Sequence, residues 1–99
     1  MVSNTEKRAA DLKRYYTLGD PFLMSNPLCM ARLSGCTFRA TQIHHKAGRK
    51  NWRLLYTPWF FPICHSCHEW ATEHSKQAIE LGISLSINTP KPADADQYD

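Results

Sequence analysis

The sequence predicts a small α+β domain closed by a metal staple, because a chain of 99 residues buries only a limited core. Three observations carry this. Four cysteines fall in two groups, Cys29 with Cys36 and Cys64 with Cys67. Between them lie two short stretches with the character of β-strands, residues 40–45 and 58–61. Helical patterning appears before the first cysteine pair and again after the second.

The elements follow in chain order. In residues 5–18, Ala9, Leu12 and Tyr16, with Tyr15 beside them, recur at three- and four-residue steps, which predicts a helix. Gly19-Asp20-Pro21 is expected to break it, since proline removes a donor and restricts the residue before it. Phe22-Leu23-Met24 restarts a short turn ahead of Ser25-Asn26-Pro27. The alternation Ala40-Thr-Gln-Ile-His-His45 suits a strand, and Lys46-Ala-Gly48-Arg-Lys-Asn51 suits a loop. Trp52 to Leu55 is expected to be partly extended, and Pro58-Trp-Phe-Phe61 to form a buried strand leading to Cys64. Residues 67–74 predict a helix anchored by Trp70. Ser75 is placed to cap a second short helix over 76–81 that stops at Gly82. Beyond Asn88 the Pro- and Ala-rich end, with Asp94, Asp96 and Asp99, reads as a flexible acidic tail. The organisation expected is therefore a helical lead-in over 1–25, a stapled domain over 26–87 and a tail over 88–99, with no internal repeat.

Met1-Val-Ser-Asn-Thr-Glu-Lys-Arg8 is polar and lacks the apolar run of a signal peptide, and no stretch approaches membrane-spanning length. A cytoplasmic setting is expected, with no membrane partner, and there such cysteine spacing favours metal over disulfides. Cys64-x-x-Cys67 is a knuckle spacing that brings two thiolates to one zinc. Cys29 and Cys36 stand further apart, but Ser34-Gly35 can turn the chain enough to join their sulfurs. Four thiolates would close a structural site.

The histidines Gln42-Ile43-His44-His45-Lys46 are then surplus to the staple. Adjacent strand residues face apart, so the two rings should have different jobs. One could ligate a second metal while the other takes a proton from water. His68 directly follows the cysteine pair, and a metal held by His44 and His68 would keep positions open for water and phosphate oxygens. The net charge of +3 understates the basic character of the chain ahead of the tail, where Lys46 and Arg49 flank the histidines. That distribution is suggestive of nucleic acid only in company with the other features.

In their order and spacing these residues resemble the HNH endonucleases, in particular the small zinc-stapled ones common in bacteriophage and prophage genomes. The matching stretch runs from about Asn26 to Gly82: Cys29 and Cys36, then Ala40-Thr-x-Ile-His-His-Lys-x-Gly-Arg49, then Trp59, Cys64-x-x-Cys67-His68-x-Trp70, and Ala78-x-x-x-Gly82. The resemblance implies a ββα-metal fold gripping one divalent ion, Mg²⁺, Mn²⁺, Ni²⁺ or Zn²⁺. By that pattern His44 and His68 are ligands of the catalytic ion and His45 is the general base that activates water against a phosphodiester. Lys46 or Arg49 would hold the scissile strand's phosphates. The partners implied are DNA, met mainly through phosphates, and phage terminase or portal proteins in a bacterial host cell. One departure stands out. The motif's middle Asn has no counterpart near Trp59, and Asn51 comes too early in the loop. A backbone carbonyl is the expected substitute for orienting His45. The alternative is a zinc-stapled nucleic-acid- or protein-binding module that keeps the fold without the chemistry.

Overall fold

The computed structural model describes residues 4–98, so the first three residues of the expected lead-in and Asp99 of the tail lie outside it. The first helix, α1, spans Asn4–Ser25 and does not stop at Gly19. Its first half is supported by the Lys7–Asp11 pair at 2.8 Å, one turn apart. Pro21 sits inside it, although an interior proline costs about 3 kcal/mol. The offset is tertiary. Phe22 packs edge-on against Phe60 with ring centroids 5.4 Å apart, and Tyr15 meets the same ring at 5.9 Å. The helix ends where the backbone and side-chain amides of Asn26 both donate to the Phe22 carbonyl at 2.9 Å. Of the two tyrosines, Tyr15 is the half-buried anchor, whereas Tyr16 is exposed.

Two strands, β1 (Gln42–His45) and β2 (Phe60–Ile63), form an antiparallel sheet whose register runs from Gln42 opposite Ile63 to His45 opposite Phe60. Pro62 has no donor to give, yet a two-stranded sheet tolerates it, and its carbonyl accepts the Met30 N–H at 3.0 Å. The stretch expected to be extended at Trp52 is instead a 3₁₀ turn, Asn51–Leu54, entered through Asn51 at φ 55°. A second such turn, Thr57–Trp59, precedes β2, so the strand starts two residues later than the apolar run. Both turns follow from packing, since Leu54, Leu55 and Tyr56 are all buried side by side and a pleated strand would expose every other one.

Helix α2 (His65–Glu73) begins directly after Cys64, and α3 (Ser75–Glu80) follows after His74. The end of α3 closes as a Schellman motif: Ile83 N–H bonds Ala78 O, Gly82 N–H bonds Ile79 O, and Gly82 adopts φ 79°. A core cluster of Cys29, Ile63, Cys64, Cys67, Ala71, Ala78 and Ile83 lies between these helices and the sheet.

The segment expected to be a flexible acidic tail is tied down. It forms a 3₁₀ turn over Ala93–Tyr98, Ala95 is fully buried, and the Tyr56 hydroxyl donates to Asp94 Oδ1 at 2.8 Å. Its composition disguised this, because the packing rests on a small side chain, an acceptor and Lys91 over the Trp52 ring rather than on an apolar run. No helix among the described residues is long and apolar enough to cross a membrane.

Candidate metal centre and histidine cavity

The two cysteine pairs meet. A tight turn, with Cys36 N–H on Leu33 O at 3.0 Å and Gly35 at φ 82°, folds the first pair back on itself. The α2 N-terminus presents the second. One sulfur from each of Cys29, Cys36, Cys64 and Cys67 lies within 4.8 Å of all the others. Tetrahedral zinc with bonds of about 2.3 Å requires sulfurs about 3.8 Å apart. Cys36 and Cys64 are at 3.9 Å, so the cluster is compatible with a structural zinc site.

Electrostatics within the cluster favour a cation. Burial pushes Cys67 up to about 12, and the three neighbouring sulfurs push the same way. Burial would also raise Cys64, but hydrogen bonds from Ser66 and the neighbouring backbone hold it at about 5. One thiolate forms easily, but four need a positive ion among them. Around the sulfurs, Phe38 N–H donates to Cys36 Sγ at 3.3 Å, and the Ser66 hydroxyl lies between Cys64 Sγ at 3.4 Å and the Gly35 carbonyl at 2.9 Å, with one proton to give to either.

On the other side of β1 and α2, the histidines gather around one cavity lined by His44, His45, His68, Gly48 and Arg49. The strand does turn its two rings apart. His45 packs on Tyr15 and Phe60, with centroids 5.1 and 5.0 Å away, towards α1. His44 packs on Phe61 and on His68, with centroids 6.4 and 5.2 Å away, towards α2. Gly48 at φ 90° bends the chain after β1 so that Arg49 closes the cavity, its guanidinium 5.1 Å above the Tyr15 ring. Lys46 does not line the cavity; its ammonium lies 5.8 Å from the Phe61 ring centroid.

All three rings are held neutral. Burial pulls His44 down to about 4, reinforced by His68 and Lys46. Burial also pulls His45 down to about 4, against the Leu54 carbonyl, with Arg49 adding to the fall. His68 is lowered by burial and then by His65. Neutral imidazole is the form that ligates metals and accepts protons.

A backbone carbonyl was the partner expected for His45, but not which one, and the partner of His44 was not foreseen at all. His45 Nε2 lies 3.2 Å from the Leu54 carbonyl, which can only accept, so the neutral ring carries its proton on Nε2 and leaves the Nδ1 lone pair available. His44 Nε2 lies 2.7 Å from the buried Ser84 hydroxyl, which can donate or accept; where the ring donates to it, the Nδ1 lone pair is left free. A main-chain oxygen carries no residue signature, and Ser84 is drawn in only by the turn after Gly82.

No family model, curated protein or solved structure matches the chain. What fold and site define by themselves is a small α+β protein with a four-cysteine cluster suited to zinc and a separate cavity of three neutral histidines.

Proposed function

We propose that this chain is a metal-dependent DNA endonuclease of the HNH type, on a ββα-metal fold stapled by structural zinc at Cys29, Cys36, Cys64 and Cys67. One observation carries the reading: His44, His45 and His68 line a single cavity with Arg49, and the rings fall into two roles. His44 and His68 adjoin each other, as a pair of ligands must. His45 stands apart with its tautomer fixed by the Leu54 carbonyl, as a general base must. A binding module has no need of a fixed, neutral imidazole beside an arginine.

In the proposed reaction, Arg49 holds the phosphodiester through its non-bridging oxygens. His45 Nδ1 takes a proton from a water molecule as that water's oxygen bonds to phosphorus. The P–O3′ bond breaks, leaving a 5′-phosphate and a 3′-hydroxyl once the leaving oxygen is protonated by solvent. His44 and His68 would hold a divalent ion, which would supply Lewis-acid stabilisation of the developing negative charge. Ser84 orients His44 for that task, in the manner of outer-shell partners of ligand histidines. The Leu54 carbonyl does for His45 what the motif's middle Asn would otherwise do. Phage terminase and portal proteins are the partners that fit such an enzyme.

Plasmid nicking with Mg²⁺, Mn²⁺ or Ni²⁺ tests the reading. His45→Ala should abolish cutting with zinc content intact, and excess metal should not restore it. His44→Ala and His68→Ala should be partly rescued by metal. A His45→Ala protein that cuts at the wild-type rate overturns the assignment.

A further inference from the structure

A second cavity, of roughly 370 Å³, opens beside the first between α1 and β1. Tyr15, Tyr16, Asp20, Gln42, Arg49 and His68 are among its walls, so Arg49 and His68 belong to both cavities. Whatever lies in this second space is next to whatever Arg49 holds in the first.

The chemistry of its walls differs from that of the histidine cavity. Gln42 is oriented by a relay: His65 Nε2 lies 2.9 Å from a Glu69 carboxylate oxygen, which accepts the ring's proton and leaves His65 Nδ1 to accept from Gln42 Nε2 at 3.2 Å. The Gln42 Oε1 atom is thereby turned away from His65, and it is buried without a hydrogen-bond partner. A buried acceptor left unmade is costly, and such an atom calls for an explanation. With the Asp20 carboxylate the cavity offers acceptors, which suit N–H donors and repel a phosphate. The Tyr16 ring, 69% exposed and 5.7 Å from Tyr15, supplies a flat apolar face.

We propose that this cavity takes an unpaired nucleobase bearing an exocyclic amino group, from the nucleotide adjoining the scissile phosphate. The proposal rests on the nuclease reading and deepens it. A base stacks on Tyr16, its amino group donates to Gln42 or Asp20, and its phosphate lies at Arg49, where the two cavities meet. A base inside a duplex has both faces covered by its stacked neighbours, so it cannot stack on Tyr16 while its amino group points into the cavity. The substrate class is therefore DNA with an unpaired nucleotide at the cut, such as a single strand, flap or gap.

Single-stranded and duplex oligonucleotides of one sequence are compared, the cut is mapped, and an abasic site is scanned across it. The single strand should be cut faster. An abasic site at one position beside the cut should slow wild-type cleavage roughly tenfold, the usual scale of base–aromatic stacking. Tyr16→Ala should lose about as much on the intact strand and nothing more on the abasic one, whereas Tyr16→Phe should retain wild-type behaviour. Equal cutting of both strands, no sensitive position, or losses that multiply would overturn this proposal alone. A protein that cuts no DNA with any of the three metals overturns the nuclease reading as well.

Discussion

Replacing one sulfur of the cluster should unfold the domain, and the composition of the core shows why. Around the buried Cys29, Cys64 and Cys67, the other buried members are Ile63, Ile83, Ala71 and Ala78, with Leu33, Phe61 and Trp70 only partly buried against them. Full burial of two isoleucines contributes about 3–6 kcal/mol. Structural zinc contributes about 10–16 kcal/mol in small domains, against a net stability of about 5–15 kcal/mol for an ordinary one. Cys64→Ser keeps the side chain's size and its place at the head of α2 but replaces a thiolate with a neutral hydroxyl, a poor zinc ligand. Losing even half of the zinc term should leave the folded state unfavourable. The assay is elemental zinc per chain together with amide NMR dispersion and near-UV dichroism, to which Trp70, packed against the cluster, should contribute. The expected result is loss of zinc and of native spectra together. A Cys64→Ser protein with native dispersion and no zinc would show that the apolar core suffices and would refute the reasoning.

Other outcomes are expected of the same molecule. His45 is neutral when folded, with its pKa lowered from 6.5 to about 4, so the folded state binds fewer protons than the unfolded chain between those values. Stability should fall by about 3 kcal/mol as pH drops from 6.5 to 4 and change little from this source above 6.5. Zinc loss in acid affects wild type and His45→Gln alike, so urea titrations of the two should diverge as pH falls; parallel curves would remove His45 as the cause. Tyr56→Phe deletes the hydroxyl that holds Asp94 and should cost about 1–2 kcal/mol, lowering the melting temperature by several degrees. An unchanged melting temperature would mean that the C-terminal segment is not held by this bond. Gly82→Ala forces a side chain into the left-handed region that ends α3 and should cost about 1 kcal/mol in urea unfolding, with zinc content unchanged. A neutral result would mean that the turn relaxes at no cost.

Spacing made parts of this structure legible in advance. Cys64-x-x-Cys67 fixes two sulfurs through local geometry alone, and Ser34-Gly35 supplied the turn that brings Cys36 to them. The alternating faces of a strand separated His44 from His45 correctly. What stayed hidden depends on distant packing. Pro21 is a helix breaker only until Phe22 finds Phe60. Ala95 looks like part of a tail until its segment packs against the turn over Asn51–Leu54. A backbone carbonyl was expected to orient His45, but a main-chain atom carries no side-chain signature, so nothing pointed to Leu54 as its source.

Cys67 and His68 are neighbours in the chain, one belonging to the sulfur cluster and the other to the histidine cavity. That adjacency sets a timetable for synthesis. While the first half of the chain is emerging, Cys29 and Cys36 have no second pair to meet, and β1 lacks β2 to pair with. Translation adds residues at about 5–20 per second, so a nascent chain waits seconds for the missing parts. The cluster and the cavity then become complete one residue apart, when Cys67 and His68 arrive together. A chain cut short before Cys67 thus carries His44 and His45 without the sulfurs and the third ring that complete the two sites.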